Sequence, residues 1–301
     1  MEARFVTRVL GTTTTPCRAC QKTELHKKIN LLDQPAASTY SIAPDIHEER
    51  HPISIYQCEN CGYICLPEVI PVPSQETTGN SPSHQKHLAE YALWMLHTFG
   101  GPQKVLDIGS NDGLFLWNLK QTAGYDVVGV EPIAKVSKIS NERGISTLTM
   151  PFSASVPYYS ASKGTPHTEI TIITANRVIA NVPDLDRFLT DVRTILPENG
   201  YFVFETGYAI DIFEKSLVET IYHEHLAYDL LGPLKAILEE HGLPPVQVTH
   251  HPVKGGSIRV VCGPNLHTNS TIQECLDEED TWLDTDPFHR FQVQLEIQRS
   301  N

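Results

Sequence analysis

Four cysteines stand in two C-x-x-C pairs, Cys17-Arg-Ala-Cys20 and Cys58-Glu-Asn-Cys61. Each pair offers two thiolates from one turn, and Gly62 after the second pair permits a tight backbone. Four thiolates close a tetrahedral site, for which Zn²⁺ is the default and a rubredoxin-like iron site has similar spacing. With every ligand place taken by cysteine, none is left for a catalytic water, so the metal's work is structural. In so small a module, metal binding supplies much of the folding free energy. Cys65, Cys262 and Cys275 read as ordinary buried or free thiols.

A second concentration of reactive side chains is IYHEHLAYD, residues 221–229. Two histidines in H-E-H do not make the H-E-x-x-H of a helical zinc site, because helical residues two apart point about 200° away from each other. On an extended segment both could face one ion, but the remaining ligands are not evident. As a proton-transfer site, His225 has Glu224 and Tyr222 close enough to orient its imidazole. A nearby carboxylate then holds the pKa close to neutrality, as a general base requires. A hydrogen-bonded structural cluster beside a sheet is the plainer alternative.

A third stretch, Asp107-Ile-Gly109-Ser-Asn111-Asp112-Gly113, follows an apolar strand and opens a helix. A dinucleotide fold prefers G-x-G-x-x-G, whose second glycine lets backbone approach a pyrophosphate. Asp112 at that place opposes phosphate and suits a cation, such as the sulfonium and amino groups of S-adenosylmethionine (SAM). The turn resembles motif I of class I SAM-dependent methyltransferases. Glu131, 24 residues after Asp107, ends the next strand, where a carboxylate can accept both ribose hydroxyls. Asn176, past a later strand, lies on the same rim and is placed to touch the methionine part. A nicotinamide domain and a glycine turn that binds nothing are the alternatives.

These residues need a scaffold, and the chain's periodicity describes one. His87–Phe99 carries apolar residues at helical spacing. Strands are expected at 104–108, 126–130, 169–175 and 200–206, with helices at 113–123, 133–142 and 184–196 between them. That alternation implies an α/β fold with a doubly wound parallel sheet, whose ligands bind outside the strand C-terminal ends. Residues 245–253 and 256–263 read as a closing pair of strands. The segment after them is acidic and then helical in pattern. Residues 1–85, poor in apolar periodicity, look like a small zinc-binding module and linker held together by something other than a core. The domain expectation is therefore 1–85, then 86–263 for the α/β domain, then 264–301 as a C-terminal extension.

The charge balance, 23 basic against 36 acidic residues for a net −13, argues against nucleic-acid binding. No run approaches the roughly 18 apolar residues of a membrane span, and the N-terminus lacks a signal-peptide core. A cytoplasmic protein without a membrane partner is expected. The C-x-x-C pairs fit metal in a reducing compartment.

Taken together, the two cysteine pairs, VLDIGSNDG, GVEP, GYFVFETGYAIDIFEKSLVETIYHEHLAYD and KGGSIR resemble the nucleotide-sugar C-methyltransferases that have an N-terminal zinc domain. The resemblance runs from Cys17 to Cys262. It implies a Rossmann-like class I methyltransferase domain after a zinc-ribbon-like module, and a small-molecule substrate, a nucleotide-linked ketodeoxysugar in that family. It implies His225 as base, Glu224 and Tyr222 positioning or polarising, and Asp107, Gly109, Asn111, Asp112, Glu131 and Asn176 around SAM. The chain departs from the pattern in SQETTGNS (74–81), which lacks the usual tyrosine, in Asn181 where histidine is usual, and in Lys254 ahead of Gly-Gly-Ser. The family usually continues for about a hundred further residues. The competing functions are an O- or N-methyltransferase and a non-catalytic zinc- and SAM-binding module.

Overall fold

In the computed structural model, residues 12–13, 15–36, 49–70, 81–157, 170–263 and 271–300 are described. The chain opens with strands β1 (Thr12–Thr13), β2 (Leu25–Pro35), β3 (Arg50–Cys58) and β4 (Ile64–Cys65), all antiparallel to their neighbours. Helix α1 (Pro82–Phe99) starts where Pro82 supplies a preset φ and the Ser81 hydroxyl accepts from the His84 N–H. Its Leu88, Tyr91, Ala92 and Met95 are buried at spacings of three and four. Gly100, at φ 67°, ends it.

Alternating elements follow: β5 (Lys104–Ile108), α2 (Leu114–Ala123), β6 (Asp126–Val130), α3 (Ala134–Glu142), β7 (Thr147–Leu148), β8 (Ile172–Asn176), α4 (Leu185–Ile195) and β9 (Tyr201–Gly207). Short α5 (Ala209–Glu214), β10 (Ala227–Tyr228) and α6 (Leu231–Glu240) lead to β11 (Pro245–His251) and β12 (Ser257–Cys262). Helices α7 (Thr271–Leu283) and α8 (Pro287–Ser300) complete the described chain. Residue 169, the first position of an expected strand, and 264–270 lie outside the described residues, as do 71–80 of the linker and most of 74–81.

The main sheet has seven strands in the order β11-β12-β9-β8-β5-β6-β7. Strands β5 to β9 run parallel, and β12 is antiparallel to both β9 and β11. From β5 the chain winds outward through β6 and β7, then crosses back to β8 and β9 on the other side. The C-terminal ends of β5 and β8 therefore flank the point where the winding reverses, the crevice in which such sheets take their ligands. No helix among the described residues is long and apolar enough to cross a membrane.

The second sheet, β1-β2-β3-β4-β10, is where the structure corrects the reading of residues 1–85 as coreless. Leu25, Ile29, Leu31, Ile53 and Ile55 are buried and belong to the same apolar cluster as Phe204, Phe213 and Phe291 of the α/β domain and α8. The period-2 pattern of β2 is broken by irregularities between Lys27 and Ile29 and between Asn30 and Leu32, which disguise it as LHKKINLL. One strand of this sheet, β10, comes from far downstream: Ala227 pairs with Cys65 and Tyr228 with Ile64. The cysteine-bearing module thus holds the segment just after His225.

Candidate active site

At the tip of β5 the chain turns through Gly109 (φ 65°), Asn111 (φ 51°) and Gly113 (φ 74°) into α2. Both glycines are obligatory. A Cβ on Gly109 would meet a Val178 methyl at 2.7 Å, and one on Gly113 would meet the Ser140 hydroxyl at 2.1 Å. We expect Gly113→Ala to destabilise the protein by about 2 kcal/mol or more, from the left-handed backbone and overpacking together. Denaturant unfolding would measure it, and an unchanged midpoint would contradict the geometry of this turn.

Glu131, at the end of β6, is buried, and its carboxylate accepts from the Asn111 N–H at 3.0 Å and the Ile133 N–H at 2.9 Å. It ties two rim loops together. Burial pushes its pKa up against these two hydrogen bonds. Asp107 lies inside β5 and accepts from the Thr174 hydroxyl of β8 at 2.6 Å. Burial raises its pKa to about 7, the hydrogen bond offsetting only part of the effect. Asp112 departs from the expectation that it faces a cationic ligand. Its carboxylate accepts from the Leu114 N–H at 3.2 Å and lies 3.4 Å from the Arg143 guanidinium. A helix N-terminus draws a neighbouring carboxylate in this way. Asn176 ends β8 with both amide side-chain atoms buried and without a hydrogen-bond partner. Buried amides are ordinarily paired, so an orphaned one beside the reversal point fits a polar ligand bound there.

The H-E-H segment is neither helix nor strand but a turn, closed by the His225 N–H donating to the Tyr222 carbonyl at 3.0 Å. The partner orienting His225 is not a carboxylate, as the sequence reading expected, but the Thr220 carbonyl, 2.9 Å from Nδ1. A carbonyl only accepts, so Nδ1 carries the proton and Nε2 keeps its lone pair. Tyr222 stacks on the imidazole at 5.7 Å between centroids, and Tyr228 meets it edge-on at 5.0 Å. Burial lowers the His225 pKa to about 4, against the Thr220 bond that raises it and with help from the Arg177 charge. Downstream, the buried Asp229 accepts from the Thr206 hydroxyl at 2.6 Å, fastening the turn to β9. Glu224 is half-buried within the turn. His223 points elsewhere: its Nε2 donates to the His51 carbonyl at 3.2 Å, and with Tyr222 it lines a cavity of about 420 Å³ between β2–β3 and α8.

Two charges that the sequence reading passed over lie in the middle of apolar runs, FVFET and SIRVVC. Glu205 of β9 and Arg259 of β12 are register partners, buried, with Arg259 Nη2 donating to Glu205 at 2.9 Å. His87 Nε2 adds a hydrogen bond to the same carboxylate at 2.8 Å. Burial alone would raise the Glu205 pKa, but His87 and Arg259 outweigh it and bring it to about 2. The Arg259 guanidinium also lies 3.5 Å over the Tyr91 ring of α1, a desolvated cation–π contact. A charge inside an apolar strand was the available signal for this pair.

The four cysteines converge. Cys17 and Cys61 sulfurs are 3.7 Å apart, Cys20 and Cys58 sulfurs 3.6 Å, and all four lie within 4.8 Å of one another. A tetrahedral thiolate site with metal–sulfur bonds of about 2.3 Å has edges of about 3.8 Å, so the donor set fits. The Cys61 thiol stabilises the Cys17 thiolate and lowers its pKa to about 5. Among the described residues this is the cluster that could hold a metal ion, and the H-E-H turn is not part of one.

The strand order, the glycine turn at the tip of β5 and the acidic end of β6 define a Rossmann-like class I methyltransferase fold, of the SAM-dependent kind. Residues 84–248 match the family model described as a methyltransferase domain, and the chain belongs to that family. It is also 29% identical over 243 residues to the C-methyltransferase NovU of Streptomyces niveus, across 77% of this chain and 57% of that one, so it spans little more than half that relative's length. Among solved structures, a SAM-dependent methyltransferase from Archaeoglobus fulgidus is similar at 16% identity, over 60% of this chain and 94% of that one, with a TM-score of 0.48. Magnesium protoporphyrin IX methyltransferase from Synechocystis PCC 6803, with bound SAH, is similar at 12% identity over 60% and 84%, with a TM-score of 0.46.

Proposed function

We propose that the protein is a C-methyltransferase that moves the methyl group of SAM to a carbon beside a ketone in a small molecule, a nucleotide-linked sugar being the favoured class. The supporting observation is His225: a buried, neutral imidazole with Nδ1 fixed by a carbonyl and Nε2 unprotonated, on a turn fastened to the end of β9. A C–H beside a ketone is acidic enough for a positioned base to remove, and the carbanion equivalent is the nucleophile. Tyr222 holds the ring plane by stacking. The roles of Tyr222 and Glu224 in orienting or polarising the acceptor belong to the same proposal.

SAM supplies an electrophilic methyl group. Gly109 and Asn111 would form its cradle at the crevice, with Asn176 offering its orphaned amide. Glu131 retains a second lone pair on each oxygen for the ribose hydroxyls. Asp107 braces β5 against β8 beneath this site, and Asp112 shapes the turn from within. In the four-cysteine cluster we place a structural Zn²⁺, whose chemistry is to crosslink the two C-x-x-C turns. The NovU relationship supports the reaction type.

The base reading makes a pH prediction. A histidine works as a base only unprotonated, so its activity falls as pH falls through the folded-state pKa, here about 4 instead of 6.5. Exchange of the acceptor's α-hydrogen with deuterated solvent, followed with S-adenosylhomocysteine bound, should therefore stay flat between about pH 5.5 and 8. A limb centred near the ordinary histidine pKa, or no exchange with any ketone that is methylated, would remove His225 as the base.

A further inference from the structure

Arg177, the first residue beyond β8, has a left-handed backbone (φ 58°) held by its N–H donating to the Glu205 carbonyl at 2.7 Å. Such strain in a non-glycine residue persists when the surroundings enforce it, and functional sites are where it collects. Nη2 is anchored, donating to the Val253 carbonyl at 3.2 Å and the Ser257 hydroxyl at 2.5 Å. Nε is buried with no hydrogen-bond partner. Among the described residues no carboxylate lies within ion-pair distance of this guanidinium. Its Nη1 and Cε1 of His225 each lie 3.8 Å from the point where a side chain on Gly207 would begin, and Cδ1 of Ile212 lies 3.5 Å from it. A fixed cation, the imidazole and the Ile212 methyl thus border one gap over Gly207, at the end of β9, with room for a single methyl-sized group.

Resting on the base reading above, we propose that Arg177 is a further catalytic residue: in the gap over Gly207 it binds the acceptor oxygen that becomes negative when His225 takes the proton. When the C–H bond breaks, the proton goes to His225, the C–H pair becomes the C=C bond and the carbonyl π pair moves onto oxygen. When the carbon bonds the methyl group, the oxygen returns its pair to C=O and the sulfonium sulfur keeps the pair of the broken S–CH₃ bond. His225 then passes its proton to solvent. A fixed guanidinium placed where the charge develops needs no reorganisation at the moment of reaction. The need is real, because an imidazole as weakly basic as His225 must work on an acidified C–H.

Oxalate, a planar dianion, probes the site without proton transfer. Calorimetry of the full chain loaded with S-adenosylhomocysteine should show oxalate binding that Arg177→Met weakens by about tenfold or more, the range of a charge-assisted hydrogen bond. Arg177→Lys should recover part of it. Gly207→Ala adds a methyl group at ordinary contact distance from its neighbours, so it should leave thermal unfolding and S-adenosylhomocysteine affinity unchanged and still weaken oxalate. Equal affinity in wild type and Arg177→Met overturns the proposal, as does absence of oxalate binding to a wild type that binds S-adenosylhomocysteine. Undiminished binding in Gly207→Ala overturns the placement in the gap. Deuterium exchange decides the base reading separately.

Discussion

His225→Ala is expected to lower kcat by about 10²- to 10⁴-fold, the usual worth of a positioned general base, while SAM affinity stays within a few-fold. The asymmetry follows from position. His225 sits on a turn pinned at Thr220 on one side and, through Asp229, at Thr206 on the other. The glycine turn follows β5 and Glu131 ends β6, and strand β8 stands between β5 and the β9 to which the His225 turn is fastened. His223→Ala is the matched control, because His223 bonds to His51 and faces the cavity toward α8. It should reduce kcat far less. Isothermal titration with SAM beside steady-state rates makes the comparison. Loss of SAM binding in His225→Ala would make the turn a structural cluster.

Cys58→Ser should release the bound metal and lower the melting temperature by on the order of 10 °C, corresponding to several kcal/mol in a chain of this size. Structural zinc sites contribute folding energy directly, yet this module does not depend on metal alone, since β2 and β3 share the main apolar core. The loss should therefore fall short of complete unfolding. It should reach the active site all the same. Cys65 and Ile64 of β4 pair with Ala227 and Tyr228, and the Leu66 N–H donates to the Leu226 carbonyl at 2.9 Å, immediately after His225. Methyl transfer should drop together with metal content, while SAM affinity holds. Elemental analysis, calorimetry and rates on one preparation test this, and unchanged melting with unchanged metal content would count against the four-cysteine site.

How much of this was legible in the sequence depended on whether the physics was local. Strands β5 and β6 fall at 104–108 and 126–130 as periodicity placed them, because a buried parallel strand is a short apolar run between turn residues. The glycine turn was legible for the same reason: only glycine tolerates the backbone and the contacts at 109 and 113. The hairpin β2–β3 was not, because two bulges interrupt its alternation. The acidic tail read as helical in pattern, and it supplies the α8 face against β2, where Arg299 donates to the Leu31 carbonyl.

At the site, residue types were readable and partners were not. Which atom orients His225 is decided by the fold bringing the Thr220 carbonyl, five residues back, to Nδ1, a main-chain contact that no side-chain type announces. Asp112 turns toward Arg143, 31 positions away, a contact no spacing rule reaches. The Glu205–Arg259 pair depends on sheet register, and the sequence shows only that each interrupts an apolar run.

The most direct measurement is nuclear magnetic resonance of the product formed from SAM carrying a ¹³C-methyl group, with ketone-bearing nucleotide sugars in deuterated water. The expected result is a ¹³C-methyl signal coupled to a carbon beside the ketone, at a position whose unreacted acceptor has exchanged its hydrogen for deuterium. A ¹³C-methyl group on oxygen or nitrogen, with no exchange at carbon, would contradict it.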